Sequence, residues 1–550
     1  MLKQFWSWLS IPREPSGIRP GLVLLYGLAA GGVLTKAAEY YVPEYGFTYL
    51  LGQGDEPARD FDWIEERDVT VYRHFRSSGY DAQYYAQLAI DPTLADPTLT
   101  ESIDNLPYRA RRILLPWTAY VLGLGQPNWV LNVYALQNVV SWFFLGWLLL
   151  RWFPPTTWDR SIRWLGIMLS VGVWFSAFSS LVDGPSLLLL ALALRWIEQG
   201  KSWRATAVLA LSGLAKETNL LAAGALAPAR WNNGRGWSRS VAQGVLVAMP
   251  LLVWFLFLKW RFAESGSLAG ARNFAVPFVA YGERWMELIS SMSNGETRWK
   301  FLSAGIATHL SITVQAVFLL AWWQWRQAAW RMMIPFTLLT FSLGPAVWEG
   351  YPGASSRVLL PMLLAFNLLV PIGRRWWPLL LLGNLTLFVG PFSLEPRPGE
   401  TYSIRITNAE MLPDEVRYAE MTVDFPRPWY RAETNRKRQW RWSETDADIV
   451  ISNPFPYPLE VQIRGEWTAH TARTARLTQA GNVLWQQPVD TQPREWRLAG
   501  IILQPGENRL RVESDALNVV AASGDERRLA VCLLGFAIKG RVIVDESKSD

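Results

Sequence analysis

About ten apolar stretches, most of them near the roughly 20 residues that a bilayer-crossing helix needs, fill residues 20 to 392 of this chain. A polar tail of roughly 155 residues follows, and it alternates polar and apolar positions instead. So many apolar segments cannot all be core helices of one soluble domain. Composition agrees: 50% of the 550 residues are apolar, 32 are Trp and only 18% are charged, outside the range of ordinary soluble enzymes. The expected fold is a multi-pass α-helical membrane domain with an all-β domain appended. The single cysteine, Cys532, excludes an intrachain disulfide and a Cys-rich metal site, and His74, His309 and His470 are too scattered in sequence for a His cage. A net charge of +6 would suit nucleic acid, but the basic residues cluster in short loops between apolar runs. Membrane orientation accounts for them, and no nucleic-acid partner is expected.

Those loops give a topology. Lys3, Arg13 and Arg19 precede the first span, at 20–38, so residues 1–19 form a cytoplasmic lead and the loop from 41 to 108 lies outside. That loop holds 13 Asp or Glu and 4 Arg. The next apolar piece, RILLPWTAYVLGLG at 112–125, is too short to cross and contains Pro116; it reads as a helix on the outer surface, which extends the outer loop to residue 127. Further spans are expected at 129–150, 162–179, 187–197, 241–260, 301–325, 332–347, 358–370 and 376–389. The stretch 205–229 is interrupted by Lys216-Glu217-Thr218-Asn219, and charges at mid-bilayer cost several kcal/mol unless paired or wetted. Two short helices meeting at the outer side avoid that cost and keep Arg230, Arg235 and Arg239 inside, with Arg151, Arg160, Arg163, Arg326, Arg331, Arg374 and Arg375. About eleven crossings result, with the membrane domain at 20–392 and the tail, 393–550, outside. A cleaved signal peptide is the alternative for the first span, but the polar lead is long and shows no clear cleavage site, so a retained anchor is expected.

In the tail, EVQIRGEW at 460–467 and NRLRVES at 508–514 alternate polar and apolar residues, and Asn453-Pro454 and Pro505-Gly506 supply turns. A jelly-roll-like β-sandwich is expected. Trp429, Tyr430, Trp440 and Trp442 read as exposed aromatics able to stack on sugar rings; plugging the core or seating the domain on a membrane explains them equally well. Arg436-Lys437-Arg438 reads as a solvated face, with lipid headgroups second.

The segment GYDAQYYAQLAIDP at 79–92 places an aromatic-flanked Asp81 in the outer loop. A short lead, a first span, a long acidic outer loop, a surface helix rich in Pro and aromatic residues, and a charged break in a later helical pair together resemble the GT-C membrane glycosyltransferases. Within that class, this segment with YRARRILLPWTAYVLGLG at 108–125, LAKET at 214–218 and SSRVLLPML at 355–363 resembles bacterial proteins with an Asp-Gly-Gln-aromatic-Tyr loop. The resemblance covers residues 18 to 392, and the tail is similar to a β-sandwich that some of these proteins append. Two departures stand out. Ala82 occupies the place of the usual Gly, and Asp81 has no acidic neighbour in sequence nearer than Asp91, where many GT-C enzymes use two adjacent carboxylates, sometimes with a metal.

The resemblance implies inverting transfer of a sugar from a polyprenyl-phosphate carrier to a glycan, lipid or protein acceptor at the outer face of a bacterial cytoplasmic membrane. An acceptor hydroxyl needs a carboxylate to take its proton, and the departing phosphate must be met by cations. Asp81 matches the acidic position and is the expected base; its alternative is a cap for the helix that follows. Arg357, Lys216 and Arg112 are the candidates for the donor phosphate. Each has a plain alternative: snorkelling for Arg357, pairing with Glu217 for Lys216, and membrane anchoring for Arg112 with Arg109 and Arg111. Gln83, Tyr84, Tyr85, Glu217, Asp183, Glu349 and Tyr351 are the candidate cleft residues; Asp183 could equally cap a helix, and His74 could line the cleft or be solvated. Asp91, before Pro92, shapes a turn. No cofactor is required, and a divalent metal stays open.

Two other classes compete. A lipid or glycan transporter would show paired halves with broken helices, and no such symmetry is visible. A scaffold presenting a carbohydrate-binding sandwich would need neither the acidic loop nor the lysine break. An enzyme requires Asp81, Lys216 and Arg357 to converge on one outward-facing cavity; a scaffold lets them scatter.

Overall fold

The computed structural model describes residues 17–41, 45–54, 63–64, 67, 69–74, 78–262, 271–294, 299–349, 354–392, 405–406, 421–430, 432–435, 438–516, 519–520 and 527–543. The chain divides into two compact units, Met1–Glu395 and Pro396–Asp550.

The first unit is helical. In chain order it contains α1 (Pro20–Glu39), α2 (Asp81–Ile90), α3 (Leu114–Leu122), α4 (Pro127–Leu149), α5 (Trp158–Met168), α6 (Val171–Phe178), α7 (Asp183–Glu198) and α8 (Ser202–Ala215). A 3-10 segment, Glu217–Leu226, follows α8, and then come α9 (Gly234–Arg261), α10 (Val279–Asn294), α11 (Trp299–Ala321), α12 (Ala328–Ser342), α13 (Ala354–Val358) and α14 (Leu360–Leu369). α1 and α4 each carry Pro in the first turn, where its missing N–H leaves no bond unmade.

Among the described residues, α1, α9 and α11 are long and apolar enough to cross a membrane; α5 and α6, bent by 45° at their junction, count as a fourth if taken as one span. Val241, Val245, Leu252 and Leu256 on α9 are all more than half exposed, an apolar face that water would not tolerate and lipid covers. This is a membrane protein. The count of about eleven crossings is not reached by that criterion. Several apolar stretches fold into helices too short to cross: α14 has 10 residues, about 15 Å, half the hydrocarbon thickness. Sequence periodicity also passed over α10, which lies between two expected spans.

Two arginines assigned to inner loops turn out to be buried clasps. Arg163 pairs with Asp159 at 2.7 Å and donates to the carbonyls of Asn367 and Val370 at 2.6 and 2.8 Å. Arg331 donates to the carbonyls of Trp325 and Arg326, at 2.6 and 3.0 Å, and to that of Ala225 at 3.2 Å. Both tie the ends of helical segments together within the bundle, a task the positive-inside pattern does not distinguish from simple orientation.

The second unit holds β1 (Thr422–Asp424), β2 (Glu433–Asn435), β3 (Arg438–Trp442), β4 (Ala447–Asn453), β5 (Leu459–Thr468), β6 (Arg473–Gln479), β7 (Asn482–Val489), β8 (Arg494–Leu503), β9 (Gly506–Ser514) and β10 (Cys532–Val542). One antiparallel sheet has the order β7-β6-β9-β4-β1, the other β8-β5-β10-β3-β2, and Arg405–Ile406 pairs with β10 in parallel. Strict alternation on β4 turns Ile449 and Ile451 into one core with Leu477 and Val512 from the same sheet and Val461, Ile463 and Ile538 from the other. The result is β-sandwich-like. None of the four aromatics read as exposed is so: Trp429 is buried with its indole N–H on the carbonyl of Asp448 (2.9 Å), and Tyr430, Trp440 and Trp442 are half-buried. Trp442 stacks on His470 with ring centroids 4.7 Å apart. Alternation identified the strands, but it did not show which face each ring would take. Arg436 and Lys437 lie outside the described residues.

Candidate functional site

The loop that presents Asp81 is shaped by glycine at a position before it. Gly79 has φ +82°, a conformation that L side chains rarely adopt, and a Cβ there would collide with the side-chain amide of Gln83. The backbone N–H of Tyr80 then donates to the carbonyl of Gly52 at 2.8 Å, and α2 begins at Asp81. Ala82, at the usual glycine position, is fully buried. Gln83 serves this turn: its amide donates to the carbonyl of Ser78 at 2.8 Å and accepts from the N–H of Gly54 at 3.3 Å.

Asp81 lies in the first turn of α2, where the helix dipole favours a carboxylate, but Tyr80 holds the cap position, without a side-chain cap bond. The fixed partner of Asp81 is Arg109, whose Nη1 donates to Oδ1 at 2.8 Å. The other edge of the same guanidinium chelates Asp104, at 2.7 Å through Nη2 and 3.0 Å through Nε. It also lies over the Tyr84 ring, 4.8 Å from the centroid. Arg109 is nearly buried, at 11% side-chain exposure, whereas Asp81 is 37% exposed, and its Oδ2 accepts from none of the described residues. Burial alone would weaken the Arg109 proton, but the hydrogen bonds to Asp104 and the charge of Asp81 outweigh it and raise the pKa. A second carboxylate thus reaches the site through Asp104. Arg109 occupies the place between the two where a bridging cation would sit. Among the described residues no group of three His, Cys, Asp or Glu side chains is placed to hold a metal.

Arg112, three residues on, forms a two-pronged pair with Glu217: Nε and Nη2 each donate at 2.9 Å. Its Nη1 donates to the Tyr85 hydroxyl at 2.7 Å, and Nη2 also reaches the Tyr108 hydroxyl at 3.2 Å. The break at Lys216 frees this arrangement, because α8 ends at Ala215 and the extended backbone at Lys216 (φ −159°, ψ 122°) separates the two charged neighbours. They do not pair with each other. Lys216 Nζ donates to Asp183 Oδ1 at 2.5 Å, and Arg357 Nη1 donates to Oδ2 of the same carboxylate at 3.4 Å. All three side chains are at most 10% exposed.

Tyr80 joins the two halves. Arg357 Nη2 donates to its hydroxyl at 3.3 Å, and the same residue precedes Asp81 in the chain. Burial raises the Tyr80 pKa, so the phenol keeps its proton, while Arg357, Asp81, Asp183 and Arg109 all act on it electrostatically. Asp81 is thus linked to Arg357 through its neighbour Tyr80, and Arg357 to Lys216 through Asp183. The charge of this network is polarised: Arg109 lies between two carboxylates at one end, and Asp183 lies between two cations at the other. A group that loses a proton suits the first end, and an anion suits the second.

Other candidates fall elsewhere. Glu349 is surface-exposed and pairs with Arg272 at 2.7 Å, and Tyr351 lies outside the described residues. His74 Nε2 contacts the carbonyl of Tyr49 at 2.9 Å within a cluster of Tyr49 and Tyr72. Asp91 accepts from the N–H of Asp96 and the hydroxyl of Thr93, at 2.9 and 2.6 Å, as a turn residue does. Asp104, Tyr80 and Tyr108 were not singled out in sequence, and Arg109 was read as an anchor; no spacing rule connects them to Asp81.

No family model matches the chain, and no curated protein matches it. Among solved structures it is similar to the arabinosyltransferase EmbB from Mycobacterium smegmatis, at 11% identity and a TM-score of 0.28, over 98% of this chain and 66% of that one. The likeness is too slight to assign a family.

Proposed function

We propose that this chain is an integral membrane glycosyltransferase that moves a sugar from a polyprenyl-phosphate donor to an acceptor hydroxyl at the extracytoplasmic face, with inversion. The observation that carries this is the polarised network: an accessible carboxylate at Asp81 and, across Tyr80, two cations sharing the single carboxylate of Asp183. In the proposed step Asp81 takes the acceptor proton as the acceptor oxygen bonds to the anomeric carbon. The bond from that carbon to the phosphate oxygen breaks, and its electron pair leaves with the lipid phosphate. One displacement from the far side inverts the configuration. A positioned base of this kind contributes about 10²- to 10⁴-fold.

Arg357 and Lys216 receive the phosphate, which competes with Asp183 for them; a phosphate offers more acceptor oxygens than a carboxylate and suits both cations at once. Arg112 spends its fork on Glu217 and its remaining edge on Tyr85, so its role is to hold the wall of the site, with Tyr85 and Glu217. Tyr84 lies under Arg109, the partner of the base, and offers an aromatic surface there. A panel of radiolabelled polyprenyl-phosphate sugars, offered to membranes containing the chain, tests this. One donor is expected to turn over, with product of the opposite anomeric configuration by NMR. A retained configuration would rule out the single displacement, and silence with every donor would favour a transporter or scaffold.

A further inference from the structure

A second charged and aromatic site lies away from the ionic network. α7 runs from Asp183 to Glu198, about 24 Å at 1.5 Å per residue. The 3-10 segment runs from Glu217 to Leu226, about 20 Å at 2.0 Å per residue. Both lead away from the network, and just beyond the second a cleft of about 780 Å³ opens, lined by Arg230, Trp231, Asn232, Trp323, Trp325 and Arg326 among others.

Its walls are fixed indoles. Trp231 stacks on Trp325 with centroids 3.9 Å apart, and Trp237 lies 6.1 Å from Trp325. The indole N–H groups of Trp325 and Trp237 are already engaged, on the carbonyls of Pro228 and Trp231, both at 3.0 Å. The rings therefore offer faces, while the polar recognition falls to the arginines. Trp231 and Trp323 are 58% and 65% exposed, as befits rings at a membrane interface.

Among the described residues neither Arg230 nor Arg326 pairs with a carboxylate. No acidic residue occurs between Glu217 and Glu264 or between Glu296 and Glu349, so both lining segments are wholly basic. Behind them lies Arg331, 5% exposed, whose guanidinium donates only to the carbonyls of Trp325, Arg326 and Ala225, while its buried Nε has no partner among the described residues. A buried cation without a carboxylate is costly, and an anion in the adjoining cleft relieves that cost. Arginine forks suit a phosphate, and the exposed tryptophans suit acyl chains beside it.

We infer that this cleft is a binding site for a phosphate-bearing anion, and that its occupant is the headgroup of an anionic membrane phospholipid. The test is native mass spectrometry of the full-length chain in detergent, titrated separately with phosphatidylglycerol and phosphatidylcholine, for the native chain and for the Arg230→Gln, Arg326→Gln double variant. Arg331 is left intact because it fastens the backbone. Retention of phosphatidylglycerol over phosphatidylcholine by the native chain is expected, with about a tenfold loss in the double variant. Equal retention of the two lipids by the native chain overturns the inference, and needs no variant to fold. So does equal phosphatidylglycerol retention by native and variant chains. Inorganic phosphate is added as a competitor: displacement of the lipid at millimolar levels supports the phosphate site with a soluble occupant, and failure to displace supports the lipid.

Discussion

Lys216 and Asp183 meet at 2.5 Å, end to end across two helices, and that contact takes the lysine away from its own neighbour Glu217. Asp183 in turn serves Arg357 through its second oxygen, so two cations share one buried carboxylate and a net positive charge remains. The lysine break is thus an ion-pairing device as well as an interruption of a helix.

Asp183→Asn leaves both cations without their carboxylate. A loss of about 3 to 5 kcal/mol is expected, the usual cost of breaking a buried pair from one side. Thermal unfolding in detergent reads it. Adding Lys216→Met should recover part of the loss; a double variant less stable than Asp183→Asn would show that the pair is not the source.

Arg109→Lys keeps a positive charge but cannot hold Asp81 and Asp104 from two edges of one plane. Transfer is expected to fall about 10²-fold through misplacement of the base, with the donor KM nearly unchanged. A rise in KM with an unchanged turnover rate would instead assign Arg109 to substrate binding.

Much of the helical framework was legible from the sequence because apolar runs and their charged flanks are local signals. The bounds of α1 and α4 follow the expected spans closely, α9 contains its expected span but starts earlier, at Gly234, and the break at Lys216 was visible as charges in an apolar stretch. The choice of ion partners was not. Arg112 meets Glu217 across 105 residues and Arg357 meets Asp183 across 174, separations that only packing decides. Asp104 was passed over and Arg109 read as an anchor because, five residues apart, they fit no helical spacing, and their meeting depends on a short helix, Leu106–Arg109, capped by Asn105. In the tail, the aromatics misled because Trp signals an interface and a core with equal force.

Cys532 gives the second unit a pH dependence. Burial raises the thiol pKa in the folded state, so the native chain holds a proton that the unfolded chain sheds near pH 8.5. Stability from this group is full below that pH and falls as pH rises above it, by at most about 1.4 kcal/mol per unit. Urea unfolding followed on either side of about pH 8.5 should show a steeper alkaline loss in the native chain than in Cys532→Ala. Parallel losses would mean that the thiol ionises alike in both states.

The most direct measurement is a single-turnover transfer assay comparing the native chain with Asp81→Asn, using whichever polyprenyl-phosphate sugar the native chain accepts. The amide keeps the shape and an acceptor oxygen for Arg109 but cannot take the hydroxyl proton. A loss of about 10²- to 10⁴-fold in transfer, with an unchanged melting temperature and donor binding, is the expected result. Transfer by the folded variant at the native rate would contradict a base at Asp81, and with it the role assigned to this end of the network.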